Sequence, residues 1–173
     1  SAWDEFIQGV GRLKLGFPIW ANEFGKDYDL SNLPTWKAGF VQKNRMLYSQ
    51  NKVFIDKWLK KYNYLSEFVQ THTKFEWQAG EHIDTVWKGI IQFRPSGIRV
   101  KRPTEFPALV AMVHIPVVGW EKRRLTPREV ANLQSFPENY IINSNAQQAY
   151  KQFGNAVNVK VVEFLAKQLF MQA

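Results

Sequence analysis

The segment from Arg123 to Val162 constrains the fold most, because local backbone chemistry marks where its first helix begins. Thr126 and Glu129 have the spacing of a capping box, in which a hydroxyl and a carboxylate each satisfy the other's backbone amide. Pro127 then falls at the first helical position, where its missing amide costs little. We therefore predict a short helix that begins at Pro127. Its predicted buried residues are Val130, Ala131 and Leu133–Gln134.

Two further helices are predicted downstream of this one. Ser135-Phe136-Pro137 should end the first helix, because the residue before a proline avoids the helical region. A second helix is predicted over Gln147 to Phe153, with Gly154 as its left-handed cap. Residues from Val157 to Phe170 are predicted to form the closing helix.

The most basic part of the chain runs from Gln92 to Pro103, and a strand is predicted within it at Ile98 to Lys101. Ile98 and Val100 alternate there with charged residues, which is typical of a strand with one solvated face. Pro95 and Gly97 predict a loop just before it. Two more strands are predicted, over Pro107–Val113 and Ile115–Val118.

The N-terminal half is predicted to be mainly helical after a region of turns. Residues 1–34 contain several glycines and few periodic apolar positions, which indicates turns between short packed segments. A helix is predicted to open at Pro34 and a second to follow Asn51. The residues predicted to face inward are Trp36, Phe40, Leu47 and Tyr48 in the first helix, and Val53, Phe54, Trp58 and Leu59 in the second.

The charge balance favours an anionic partner. The chain has 23 Lys and Arg against 15 Asp and Glu, a formal net charge of +8 and a pI of about 9.7. Nucleic acid is the default candidate for such a surface, although a basic surface that serves only solubility is equally compatible. The lysines of the second helix leave the same two alternatives, phosphate contact or a solvated face. They are Lys52, Lys57, Lys60 and Lys61.

Composition also excludes several classes of site. The chain has no cysteine, which removes disulfides, thiolate metal sites and any thiol nucleophile. His72, Glu76 and His82 do not have the spacing of a metal motif, so no metal site is expected. No apolar run approaches the roughly 20 residues that span a bilayer, and no signal peptide opens the chain. We therefore expect a cytoplasmic protein with no membrane contact.

Two polar motifs give this chain a family resemblance. Residues 123–137 have the pattern Arg-x-Leu-Thr-x-Arg-Glu-x-x-x-Leu-Gln-x-Phe-Pro, which resembles the ninth conserved motif of DNA (cytosine-5) methyltransferases. Tyr-Lys-Gln-Phe-Gly-Asn-Ala-Val, at residues 150–157, resembles the tenth and last motif. An ordinary helical core needs apolar residues at helical spacing, but it does not need this particular series of polar residues. The order of the two motifs is also that of the family.

The resemblance implies a fold and a division of labour. The fold class is α+β, with a small β-rich target recognition domain, an N-terminal helical segment, and C-terminal helices that would dock on an absent α/β catalytic domain. Residues 1–122 would form the DNA-recognition region and residues 123–173 the docking segment. Double-stranded DNA and the catalytic domain or subunit would be the partners. The residues assigned to DNA contact are Arg94, Ser96, Arg99, Lys101 and Arg102. The alternative interpretation of these charges is protection of an edge strand.

The family's reaction needs groups that this chain does not contain. In such enzymes a cysteine in a Pro-Cys motif attacks C6 of a flipped cytosine, and C5 then takes the methyl group. The Pro-Cys motif and the Phe-x-Gly-x-Gly loop for S-adenosyl-L-methionine are not found here. No catalytic residue is therefore assigned. Asn155 and Ala156 would lie beside the methionine end of that cofactor, once the catalytic portion is present.

The resemblance thus indicates an excised domain or the smaller polypeptide of a split methyltransferase, inactive alone. It would belong to a bacterial restriction-modification system and be associated with the nucleoid. A freestanding DNA-binding module without methyltransferase activity is the alternative. Such a module would use the same arginines but would have no need of Asn155.

Overall fold

The computed structural model describes residues 1–11, 15–109 and 114–170, and these residues form an α+β fold, as predicted. In chain order the elements are α1 (Ala2–Val10), β1 (Ile19–Trp20), α2 (Thr35–Gln50), α3 (Lys52–Lys61), β2 (Lys74–Gln78), β3 (Ile90–Arg94), β4 (Gly97–Lys101), β5 (Val117–Val118), β6 (Arg123–Arg124), α4 (Pro127–Leu133), α5 (Ala146–Asn155) and α6 (Val159–Phe170). The strands belong to one six-stranded sheet with the order β1-β2-β4-β3-β5-β6.

The chain divides into two compact units. The first comprises Ser1–Phe106 together with Val118–Lys122. The second comprises Pro107–Val117 and the chain from Arg123 onward. The first unit holds α1 to α3 and the long strands, whereas the second holds the three C-terminal helices.

Helix α1 forms the centre of the first unit's core, which corrects the prediction of turns for Ala2–Val10, whereas residues 15–34 hold turns and short segments as predicted. Trp3 stacks on Phe75 of β2 with ring centroids 4.8 Å apart, and Phe6 meets the edge of Trp58 of α3 at 4.8 Å. The buried Trp58 ring also donates from Nε1 to the carbonyl oxygen of Ala2 at 2.8 Å.

Gly9 explains why the prediction of turns is wrong for Ala2–Val10. In sequence its glycine favours a turn, but in the structure it lies inside α1. The Phe54 ring of α3 occupies the space that a side chain at position 9 would need. Gly9 therefore permits α1 and α3 to pack closely, and it does not end helix α1.

Helices α2 and α3 lie where they were predicted, and Leu47 and Trp58 are buried as expected, but other positions predicted to face inward are not. Trp36 is 65% exposed and Val53 is 71% exposed, although both were expected to face inward. Besides Leu47, the buried residues of α2 are Val41 and Asn44, which were not predicted. Asn44 is fully buried and its amide is satisfied: the Trp20 amide donates to its Oδ1 at 2.8 Å, and its Nδ2 donates to the carbonyl of Pro18 at 3.0 Å. Asn44 thus helps to decide which face of α2 is buried, and apolar spacing alone does not show this.

The sheet confirms the predicted alternation in the basic stretch. Strand β4 pairs in parallel with β2 and antiparallel with β3. Ile98 and Val100 lie opposite Phe75 and Trp77 of β2, and all four are buried. The intervening residues of these strands point to the opposite face, because side chains alternate along a strand. That opposite face is polar.

The second unit keeps the predicted helix order with shifted boundaries. Helix α4 begins at Pro127 with both hydrogen bonds of the capping box, but Leu133 is exposed rather than buried. Helix α5 continues to Asn155, so Gly154 lies inside it, and Ala156 caps it with extended backbone. Helix α6 begins at Val159, not Val157.

Two predicted strands differ from the structure in the described residues. Within Ile115–Val118 only Val117–Val118 is a strand. Of the strand predicted over Pro107–Val113, Pro107–Leu109 has no strand geometry and residues 110–113 lie outside the described residues.

Candidate functional site

The polar face of the sheet in the first unit brings together charged residues that are distant in sequence. The register places Glu76 of β2 opposite Arg99 of β4, and Arg99 opposite Gln92 of β3. Arg94, two residues after Gln92, shares its face. Three strands thus supply one polar cluster, defined here as Glu76, Gln92, Arg94 and Arg99.

Glu76 holds two arginines at once within this cluster. Its Oε1 accepts from a terminal nitrogen of Arg94 at 2.7 Å, and its Oε2 accepts from Nε of Arg99 at 2.8 Å. The side chains are 17% exposed for Glu76, 19% for Arg94 and 27% for Arg99. Partial burial makes these ion pairs stronger and less salt-sensitive than surface pairs.

Two buried polar atoms of the cluster have no partner among the described residues. They are Oε1 of Gln92 and Nε of Arg94. A buried polar group without a hydrogen bond costs free energy. The cluster is therefore not fully satisfied in the free chain.

The other residues assigned to DNA contact lie in β4 or directly beside it. Ser96 is exposed in the turn between β3 and β4. Arg102 forms an ion pair with Glu105, and its Nη1 lies 3.0 Å from Nε2 of His82. Lys101 lies 4.0 Å from the same Glu105 carboxylate.

Strand β4 is not an edge strand. It lies between β2 and β3, so both of its backbone edges are paired. Its arginine and lysine therefore do not serve to protect an exposed edge, and that interpretation of the basic stretch is wrong.

The second unit carries a different surface, the loop between α5 and α6, which Gln134 holds in place. Nε2 of Gln134 donates to the carbonyl of Phe153 at 3.0 Å and to that of Ala156 at 3.4 Å. The Val159 amide donates in turn to the carbonyl of Gln134 at 3.0 Å. The loop is thereby fixed at both ends to the end of α4. Asn155 is exposed and its side chain has no hydrogen bond among the described residues.

The start of α4 is stabilised by charge as well as by its cap. Arg123 donates two hydrogen bonds to the carboxylate of Glu129, at 2.8 and 2.7 Å. Hydrogen bonds from Arg123 and from the Thr126 backbone lower the pKa of Glu129 to about 2. Arg123, Thr126 and Glu129, which belong to the polar ninth motif, are thus joined to one another by hydrogen bonds.

Helix α6 buries none of its residues. Val162, Leu165 and Leu169 lie three and four residues apart and therefore share one face of the helix. Leu165 is 54% exposed and Leu169 is 72% exposed. An apolar helix face this open is typical of a surface that another element covers.

Metal-ligating clusters and membrane spans are both absent from the described residues. No group of three or more His, Asp or Glu side chains suited to a metal ion occurs among them. None of the helices in the described ranges is long and apolar enough to cross a membrane.

Comparison with known proteins identifies the family. Residues 22–171 match the family described as C-5 cytosine-specific DNA methylase. The chain belongs to this family. The type II methyltransferase M.AluI of Cellulosimicrobium cellulans is 39% identical over 138 residues, which are 79% of this chain and 26% of the relative. The type II methyltransferase M.BanI of Aneurinibacillus aneurinilyticus is 58% identical over 48 residues, 28% of this chain and 11% of the relative.

This chain therefore spans about a quarter of the length of M.AluI. M.HhaI of Haemophilus parahaemolyticus is 40% identical over 50 residues, 29% of this chain and 15% of that protein. No solved structure matches the chain.

Sequence reasoning missed the roles of Glu76 and Gln134. No role for Glu76 follows from the sequence, because its partners lie 18 and 23 residues away on other strands. The register that brings them together is not a local property. Gln134 is visible as a polar position of the ninth motif, but nothing local shows which carbonyl groups it binds.

Proposed function

We propose that this chain is the DNA-recognition portion of a DNA (cytosine-5) methyltransferase of the type II restriction-modification class. The whole enzyme would transfer a methyl group from S-adenosyl-L-methionine to cytosine C5 in duplex DNA. Family membership over residues 22–171 supports the chemistry. The names of M.AluI and M.BanI support the type II class.

The observation that carries this proposal is the pairing of a fixed loop with an uncovered helix in the second unit. Gln134 fixes the α5–α6 loop, and the Asn155 amide is left exposed. Next along the chain, α6 exposes an apolar face. A chain that only binds DNA needs neither feature.

Asn155 and Ala156 fit one wall of a cofactor pocket. An exposed amide offers a donor and an acceptor, which suit the polar methionine end of S-adenosyl-L-methionine. The carbonyl groups of Phe153 and Ala156 already accept from Gln134, so the loop would keep its shape when the cofactor binds. The cofactor supplies the methyl group, and residues outside this chain supply the nucleophile and the remaining walls.

The polar sheet face of the first unit would bind DNA. Arginine side chains can donate two parallel hydrogen bonds to guanine or phosphate. Arg94, Arg99 and Lys101 place such donors on one face of the sheet, with Ser96 in the turn before β4 and Arg102 directly after it. Residues 1–122 would thus recognise the DNA, and residues 123–173 would dock on the catalytic portion.

The deciding experiment mixes this chain with a polypeptide that carries the missing Pro-Cys and Phe-x-Gly-x-Gly motifs from the same gene region. Transfer of a labelled methyl group to duplex DNA is measured for each component and for the mixture. We expect methylation of a defined site only in the mixture. The Asn155→Ala chain should raise the KM for S-adenosyl-L-methionine and leave DNA binding unchanged.

The alternative function makes a different prediction in the same experiment. A freestanding DNA-binding module would bind duplex DNA but would form no complex with the catalytic polypeptide. A correctly folded pair that fails to associate or to methylate any DNA would therefore refute the proposed function.

A further inference from the structure

We propose that Glu76 is a positioning residue that sets the DNA sequence preference of this chain by holding Arg94 and Arg99 in base-reading orientations. The inference rests on the proposed DNA-recognition function and deepens it. Glu76 itself would act through the arginines, because each of its carboxylate oxygens accepts a hydrogen bond from one of them.

The first support is that one carboxylate connects two arginines from different strands. Arg94 ends β3 and Arg99 lies in β4, and each donates to a separate oxygen of Glu76. Rotation of Glu76 away from the sheet would break both bonds together. The two guanidinium groups are therefore fixed relative to one another, and not only to the backbone.

The second support is which donors remain available. Arg99 binds Glu76 through Nε, and its terminal nitrogens have no hydrogen bond among the described residues. Those two nitrogens form the fork that can donate in parallel to O6 and N7 of guanine. Long side chains lose conformational freedom when they bind. Because Glu76 already holds the guanidinium group of Arg99, each hydrogen bond that it forms to a base contributes more to sequence discrimination.

The third support is the sign of the charge. A surface built only to attract phosphate gains from every cation and loses from every carboxylate. Glu76 reduces the charge of its own cluster from two positive charges to a net single one. The central position of Glu76 therefore indicates that the cluster orients its arginines and does not serve only to attract phosphate.

Buried polar atoms without hydrogen bonds in the cluster also support a role in specific binding. Oε1 of Gln92 and Nε of Arg94 are buried and have no partner among the described residues. A small adjustment of these side chains on binding would let them be satisfied, which adds to the free energy of the specific complex.

The test is selection of bound sequences from a pool of duplexes with a randomised centre, followed by Kd measurements on selected and non-selected duplexes. For Glu76→Gln we expect the ratio of the two Kd values to fall by about tenfold or more, the worth of one good bidentate pair. Binding to non-selected duplex should stay equal or tighten, because a negative charge is removed. A purely structural ion pair would weaken both duplexes alike.

Glu67→Gln is the matched control. Glu67 is an exposed carboxylate of the same unit with no hydrogen bond or ion pair among the described residues. Its substitution removes the same charge from the chain but releases no arginine. We expect this variant to keep the wild-type Kd ratio.

Arg99→Lys keeps the test decisive should Glu76→Gln fail to fold. Lysine retains the charge next to Glu76 but has no fork. We expect it to lose discrimination and to keep its affinity for non-selected duplex. A folded Glu76→Gln or Arg99→Lys chain with the wild-type ratio overturns the inference alone. A wild-type chain that selects no sequence overturns the recognition function and this inference with it.

Discussion

At the scale of single residues, the polar positions around α4 act through bonds to near neighbours. Glu129 accepts from both Arg123 and the Thr126 backbone, and these bonds lower its pKa from 4.5 to about 2. A lowered pKa in the folded state means that the ionised form stabilises the fold. That contribution is complete above the unfolded pKa near 4.5 and is lost as the pH falls toward 2.

We expect Glu129→Gln to destabilise the chain by about 1 kcal/mol at pH 7, because glutamine keeps part of the cap but loses the ion pair. The difference from wild type should shrink steadily between pH 4.5 and pH 2. Urea unfolding followed by circular dichroism at several pH values measures both effects. A difference that stays constant over this range would show that the carboxylate charge does not contribute.

A substitution at Gly119 tests how closely the backbone packs around this residue. A methyl group at this position would meet the carbonyl oxygens of Gly89 at 2.6 Å and of Trp87 at 2.8 Å. Backbone atoms cannot move aside as a side-chain end can, so Gly119→Ala should cost about 1–3 kcal/mol of unfolding free energy.

Gly39→Ala is the matched control for that substitution. Gly39 lies inside α2, and nothing among the described residues approaches the added methyl group within 4 Å. This variant should gain about 0.5–1 kcal/mol, because alanine favours helix over glycine. Thermal unfolding of the two variants should therefore shift in opposite directions. Equal shifts would contradict the packing at Gly119.

At the scale of secondary-structure elements, α6 is the helix whose environment should change on assembly. Leu165→Ser should leave the thermal unfolding of the isolated chain nearly unchanged, because Leu165 is already exposed. The same variant should weaken association with the catalytic polypeptide by at least about tenfold, since a buried leucine contributes about 1.5–3 kcal/mol.

Lys160→Ser, on the polar side of α6, provides the control for this element. It should bind the catalytic polypeptide as wild type does, and calorimetric titration compares the two directly. Reduced stability of the isolated Leu165→Ser chain would indicate instead that α6 packs on its own chain. Weakened association of both variants alike would indicate a general helix effect.

The elements also show what the sequence can and cannot predict. The start of helix α4 is predicted to the residue, because its cap and its proline act locally. Helix α1 is missed, since its buried aromatic rings find partners in α3 and β2 that are far away in sequence. The spacing of Trp36 predicts an inward position, but the fully buried Asn44 fixes the buried face of α2. Glu76 is likewise hidden in sequence, because strand register decides its partners.

At the scale of the whole molecule, the net charge of +8 is unevenly neutralised. In α3, Lys52 is paired with Asp56 and Lys61 with Glu5. Lys57 and Lys60 are exposed and have no ion pair among the described residues. These two lysines are therefore available to bind phosphate, which adds affinity without sequence information.

We expect the double variant Lys57→Ala, Lys60→Ala to weaken binding to selected and non-selected duplexes by the same factor. The slope of log K against log salt should become shallower by up to about two units, because each phosphate that a lysine neutralises contributes roughly 0.9 to the slope. Fluorescence anisotropy over a series of salt concentrations gives both quantities. Lys151→Ala, Lys160→Ala removes the same charge from the second unit and should leave the slope unchanged. An unchanged slope for the α3 variant would assign those lysines to a solvated face, and DNA affinity would then depend on the polar sheet face alone.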